Sequence, residues 1–231
     1  LQIDFSSEIN YIHTQGNLGS CAPQCLTLSL EYSLKKLGME IKLSPLFVYY
    51  NERKINNIIE QDSGASITDT IQSIYKYGVC QESSWPYIDD GIKFKQHPPK
   101  KAYEEPHSIF KEIILTHIHL PNKIELIKQT LAQKTPVICG INIFPSIEKE
   151  IVEKTGIVSM PNRYESPIGS HAVTLIGYDE NTQLIKFANS WGPQWGDKGF
   201  GYLPYNYITN NSKKNPFLHT YPNELWSVTL S

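Results

Sequence analysis

Gln15-Gly16-Asn17-Leu18-Gly19-Ser20-Cys21-Ala22-Pro23 is a glycine-punctuated loop that runs straight into a helical pattern. Proline is tolerated in an α-helix only in its first turn, so Pro23 puts the helix start near Cys21. Behind it, Leu26, Leu30, Leu34 and Leu37 form one apolar stripe, and Cys21, Cys25, Leu28 and Tyr32 form a second. Two stripes predict a helix over 22–37 that is buried on most sides, ended by Gly38. A thiol at the head of such a helix faces the positive end of the macrodipole, which favours an anion.

Two more helices follow from local signals. Ser44-Pro45 is a cap followed by proline at the first helical position, with a helix expected to about Ile59. Ser66 to Asp69 is a capping pattern for a third, running through Ile71 and Ile74 to Gly78. The stretch from Cys80 to Pro106 is loop-rich, with Trp85-Pro86-Tyr87, Asp89-Asp90-Gly91 and Pro98-Pro99, and suits a lobe boundary. Asn122, with Glu125 three residues on, opens one more helix to Gln133. Strand signals then dominate. Pro136 to Phe144 is one strand, His171–Tyr178 and Leu184–Ser190 form a hairpin, and Gly199 to Pro204 is another strand. Helices first and strands second imply an α+β architecture: a helical lobe over approximately 15–105 and a strand-rich lobe over approximately 106–210. Residues 1–231 then form one domain of two lobes.

Composition sets the outer limits. The chain has 231 residues, of which 40% are hydrophobic and 19% charged, a balance suited to a sizeable packed core. The net charge is -2 with no long basic run, which argues against nucleic acid as a partner. No apolar stretch approaches the roughly 20 residues needed to span a bilayer, so no membrane role is expected. The chain starts at Leu1, which suggests either a removed signal and pro-segment or a trimmed sequence. Cys21, Cys25, Cys80 and Cys139 show neither a CxxC pair nor zinc-ligand spacing, so no metal site and no disulfide framework are implied.

The chemistry-bearing segments are Gln15 to Cys21, Ser170-His171-Ala172-Val173, and Asn189-Ser190-Trp191-Gly192. They supply a thiol, an imidazole to take its proton, a carboxamide to orient the imidazole, and a second amide for a developing oxyanion. The side-chain N–H of Gln15 and the backbone N–H of Cys21 are the candidate oxyanion donors, typically worth about 3 to 4 kcal/mol each in the transition state. Trp191 is placed to shield the Asn189–His171 hydrogen bond from water. Cys25, Cys80 and Cys139 read as buried small hydrophobes. His117 and His119 read as residues of an exposed strand, His13 as a loop residue, and Lys149 to Lys154 as a solvated face.

These residues resemble the papain-like cysteine proteases. The likeness spans nearly the whole chain: Gln15-Gly16-x-x-Gly19-Ser20-Cys21, His171-Ala172-Val173 leading to Gly177-Tyr178, and Asn189-Ser190-Trp191-Gly192-x-x-Trp195-Gly196-x-x-Gly199-x-Gly201-Tyr202. In papain and the cathepsins the histidine and asparagine lie about 130 to 150 residues beyond the cysteine. Here they lie 150 and 168 residues on. The resemblance implies a two-lobed papain-like fold, helical left lobe and β-barrel-like right lobe, with the active site in the cleft between them. It also implies peptide hydrolysis through a thioester with no cofactor, on a peptide or protein substrate, by a monomer that a removed pro-segment would inhibit. Gly64-Ala65-Ser66-Ile67, Gly78-Val79-Cys80 and Trp85-Pro86-Tyr87 look more like bacterial members, hence an expected secreted or exported bacterial enzyme. By the same likeness Gly19, Gly64 and Ala65 bind substrate backbone, Ser170 and Ala172 flank the base, Gly140 walls the S2 pocket, Trp191 and Trp195 stand at the cleft rim, and 159–169 forms a loop there. Two departures stand out. Leu18 occupies the place of a disulfide cysteine in many relatives, and Ala22-Pro23 replaces an aromatic and a small residue after the nucleophile. The same parts also suit an acyltransferase or deamidase acting on one protein; a non-catalytic binding protein would normally have lost one of the four residues.

Overall fold

Cys21–Lys36 (α1) begins at the thiol and buries every residue from Ala22 to Leu34, as its two stripes require. Leu37 departs from the expected stripe: it lies past the last helical turn and is 56% exposed. A computed structural model describes residues 2–105, 113–118, 123–209 and 224–230. Its contacts divide the chain into two compact units, Gln15–Leu115 with Val228–Ser231, and Leu1–Thr14 with Thr116–Ser227.

The first unit is helical. Pro45–Ile55 (α2) is capped by Ser44, whose hydroxyl accepts from the Phe47 N–H at 3.1 Å. It stops at Ile55 rather than near Ile59. Asn57 turns the backbone at φ 57°, and the buried Arg53 captures the carbonyls of Ile59 at 2.6 Å and Gln61 at 3.3 Å. An arginine that collects backbone carbonyls in this way satisfies a loop that would otherwise bury unpaired acceptors. Ile67–Tyr77 (α3) has Ser66 as its cap and Gly78 as its stop, the glycine at φ 70°. A short helix at Lys100–Glu104 (α4) follows. The core of this unit gathers Leu18, Leu46, Phe47, Tyr49, Cys80, Trp85, Phe94 and Ala102. Leu18 therefore plugs the core from the loop that precedes Cys21.

The second unit is built on antiparallel strands. Gln2–Asp4 (β1), Val137–Ile143 (β3), Gly169–Asp179 (β4), Leu184–Ala188 (β5), Phe200–Pro204 (β6) and Leu225–Leu230 (β7) pair in the order β7-β3-β4-β5-β6, with β1 on β4. Ile113–His117 (β2) lies beyond β7 at the edge, and β2 and β7 are the strands in which the chain passes from one unit to the other. β1 can approach because Gly177 has no side chain: a Cβ there would stand 2.4 Å from the Ile3 carbonyl oxygen. Lys123–Ala132 (α5) matches the expected helix; Asn122, its expected cap, lies outside the described residues, as do Pro106 and His119. The Lys and Glu residues of Lys149 to Lys154 are exposed, as expected, while Val152 between them is buried, and the stretch carries the short helix Glu150–Thr155 (α6). A last turn, Tyr205–Ile208 (α7), follows β6. His117 departs from the exposed strand expected of it: it is half-buried, its ring 4.8 Å from that of Trp226. Among the described residues, no helix is long and apolar enough to cross a membrane.

Candidate active site

Cys21 is the first residue of α1 and is partly exposed. The loop before it makes few ladder bonds and is held by side chains from far along its own unit. The Tyr87 hydroxyl donates to the Gln15 carbonyl at 2.7 Å and pairs with the Ser20 hydroxyl at 2.6 Å. Asp89 accepts from the Asn17 backbone N–H at 2.7 Å and from its side-chain amide at 3.2 Å. Gly16 must be glycine here: its φ is 60° and a Cβ would overlap the Asp89 carboxylate. Asp62 accepts from the Gly19 N–H at 2.9 Å. The buried Gln15 amide donates to the Leu18 carbonyl at 2.9 Å, which curls the loop upon itself. Of the substrate-binding candidates in this unit, Gly64 and Ala65 are half-buried, with Gly64 at φ 75° against the backbone of Gly19.

His171 lies on β4 opposite Ile141, and Asn189 lies just past β5, whose Ala188 pairs with Thr174. This register brings the His171 Nε2 within 2.8 Å of the Asn189 Oδ1. The Ser190 N–H donates to the same oxygen at 2.9 Å, which identifies the atom as the acceptor of the amide. Nε2 must then carry hydrogen, and in the neutral imidazole Nδ1 is the nitrogen able to take a proton. Trp191 stacks on the imidazole at 4.7 Å, and Trp195 meets Trp191 edge-on at 5.3 Å. Burial pushes the His171 pKa down to about 4, with the Asn189 hydrogen bond opposing it. Taken alone, the His171 imidazole is therefore held neutral. Ser170 is exposed, Ala172 is buried at 3% and pairs with the half-buried Gly140. Beside Trp191 and Trp195 lies a hollow of about 240 Å³, lined by Ile143, Ile147 and Ile168 together with Glu148 and Glu153.

Cys25, Cys80 and Cys139 are all buried, and burial pushes the Cys80 and Cys139 thiols up to about 12, so neither supplies a thiolate. Reading the sequence alone missed Asp62, Tyr49, Tyr87, Asp89 and Arg53. Their segments read as loop, as helix or, at Tyr87, as part of a family likeness, and key partners lie far along the chain, 43 residues for Asp62 and 72 for Asp89 and Tyr87.

A family model described as papain family cysteine protease matches residues 2–216. The chain is 38% identical over 211 residues to an uncharacterized peptidase C1-like protein of Acanthamoeba polyphaga mimivirus, a match covering 88% of this chain and 67% of that one. It is 29% identical over 199 residues to pro-cathepsin H of Mus musculus, covering 83% and 55%. The chain thus spans about two thirds or less of the length of these curated relatives. Among solved structures it is similar to xylellain, a cysteine protease from Xylella fastidiosa, with a TM-score of 0.83 and 26% identity over 100% of this chain and 86% of that one. The fold also matches procathepsin L 3 of Tenebrio molitor, TM-score 0.71 at 19% identity, over 99% and 69% of the two chains. These sources are viral, mammalian, insect and bacterial, so the likeness does not single out bacteria. The chain has the papain-like fold and belongs to the papain family of cysteine proteases.

Proposed function

We propose that this chain is a cysteine endopeptidase in which Cys21, His171, Asn189 and Gln15 act on one peptide carbonyl. The observation that carries this reading is the orientation of His171: Nε2 is committed to Asn189 at 2.8 Å, which reserves Nδ1 for the thiol proton. His171 takes that proton and the Cys21 sulfur bonds to the carbonyl carbon. The oxyanion is met by the Cys21 N–H and the Gln15 side-chain N–H. As the C–N bond breaks, the imidazolium returns the proton to the leaving amine, leaving a thioester. Water, deprotonated by the same imidazole, then releases the acid and the thiol. Because burial favours neutral His171, the imidazolium is sustained by the thiolate that gave it the proton, and the ion pair is the reactive form.

The substrate is a peptide or protein whose backbone pairs with Gly64 and Ala65, with Gly140, Ser170 and Ala172 bounding the site. The leaving segment passes Trp191, and the hollow beside it, aliphatic with Glu148 and Glu153, suits a lysine or arginine side chain. By likeness to its relatives the enzyme works as a monomer in a single catalytic domain, is released from an inhibitory pro-segment and is exported. The test is turnover of fluorogenic peptides varied on both sides of the scissile bond, under reducing conditions. Turnover abolished by Cys21→Ala is the expected result. Turnover that persists in the variant would count against Cys21 as the nucleophile, and folded wild type that cleaves none of the panel would count against general proteolysis and favour acyl transfer or deamidation on one dedicated protein.

A further inference from the structure

We infer that Asp62 is a positioning residue that fastens the oxyanion loop to the strand of backbone that receives substrate. The inference rests on the reading of Cys21 as nucleophile. One carboxylate oxygen, Asp62 Oδ1, accepts from the Gly19 N–H at 2.9 Å and from the Tyr49 hydroxyl. The Tyr49 oxygen in turn accepts from the Gly64 N–H at 3.3 Å. Gly19 stands two residues before the nucleophile, so it fixes the peptide planes that lead into the Cys21 N–H. Gly64 heads the edge assigned to substrate backbone. The two glycines also touch: a Cβ on Gly19 would lie 2.8 Å from the Gly64 Cα.

The fastening is itself anchored. Tyr49 is fully buried, and the Arg53 guanidinium lies over its ring at 4.2 Å. Arg53 also holds the carbonyl of Gln61, the residue before Asp62, at 3.3 Å. None of the four cysteines is disulfide-bonded, so no bridge shares this task, and Leu18 fills the core instead. A hydrogen-bonded carboxylate does here what a covalent bridge at Leu18 would otherwise do. Because Asp62 is exposed, water can take over its bonds in part. Its loss should therefore loosen the two edges rather than collapse the unit.

The experiment compares wild type, Asp62→Ala, Asp62→Asn and Tyr49→Phe in peptide turnover and in alkylation of Cys21 by iodoacetamide. Alkylation needs the thiolate but forms no oxyanion. Asp62→Ala should lower kcat about tenfold and raise KM, with the alkylation rate within about twofold of wild type. Asp62→Asn keeps the accepting oxygen and should recover most of kcat. If Asp62→Ala fails to fold, Tyr49→Phe carries the test, since it keeps the ring and removes only the hydroxyl; it should raise KM. Unchanged kinetics in these variants, alkylation falling in step with turnover, or Asp62→Asn as impaired as Asp62→Ala would each overturn the inference. Wild-type turnover that Cys21→Ala abolishes while Asp62→Ala is unimpaired sinks the inference alone. A wild type with no thiol-dependent turnover sinks the reading of Cys21, and the inference with it.

Discussion

Cys21 and His171 are held in place by opposite means. The loop 15–20 turns its amides away from any ladder, and its groups are met one by one by Asp62, Tyr87 and Asp89. His171 sits within a strand whose backbone is paired on both sides, to β3 and to β5. Its side chain needs only Asn189 and the stacked Trp191. A sheet satisfies its own backbone and frees side chains for chemistry; a loop must borrow side chains to satisfy its backbone. The difference predicts that damage to the base is concentrated in one residue, whereas damage to the loop is shared among several.

Among substitutions that leave the Cys21 thiol in place, the largest effect should come from Asn189→Ala. It removes the oxygen that holds His171 Nε2 at 2.8 Å and leaves a buried ring free to rotate. We expect kcat to fall by about 10² with little change in KM, because the loss is in proton transfer rather than in binding. Steady-state kinetics on a peptide that wild type cleaves would check it. A fall of less than about threefold would mean that Trp191 alone orients the ring, and that the contrast between the two regions is overdrawn.

How much of this was legible beforehand follows from the same contrast. The caps at Ser44 and Ser66, the stop at Gly78 and the hairpin of β4 with β5 rest on near neighbours in sequence, and each stands where the pattern put it. His171 and Asn189 were legible as members of short motifs, and two adjacent strands bring their side chains together. Leu37 was misjudged because a stripe is counted along a helix without knowing where the helix loses its backing. The end of α2 was misjudged because Arg53 reaches forward to Ile59 and Gln61 and draws the chain into a turn. The clasp of Gly19 by Asp62 spans 43 residues, and that of Asn17 by Asp89 spans 72. No local periodicity encodes such pairs.

A smaller effect is expected at the loop. Tyr87→Phe removes the bonds to the Gln15 carbonyl and the Ser20 hydroxyl while keeping the ring. With Asp62 and Asp89 still in place, kcat should fall only about threefold to tenfold, and stability by about 1–2 kcal/mol. Chemical denaturation alongside kinetics would separate the two. A loss as large as that of Asn189→Ala would show that one hydroxyl, not a shared set, holds the loop.

The last comparison concerns stability rather than turnover, and the two regions should respond to pH with opposite sign. In one, burial holds His171 at about 4, below its ordinary value near 6.5. Between those values the unfolded chain binds a proton that the folded chain does not, so stability drains away as pH falls from about 6.5 to 4. In the other, Glu52 on α2 is 1% exposed, accepts from the Thr70 hydroxyl at 2.9 Å, and has its pKa pushed by burial up to about 9. Asp69 and Cys21 add to that rise, and Arg53 opposes it. Here the folded chain holds a proton that the unfolded chain has lost. The contribution is complete below the unfolded value near 4.5 and is lost as pH rises towards 9. Denaturation of Cys21→Ala, with and without Glu52→Gln or His171→Gln, isolates each slope from catalysis. Glu52→Gln should flatten the decline between pH 5 and 9 and leave the acid side unchanged, while His171→Gln should flatten only the acid side. A Glu52→Gln variant that still declines like its parent would mean that the carboxylate is ionised in the fold, with Arg53 rather than a proton neutralising it.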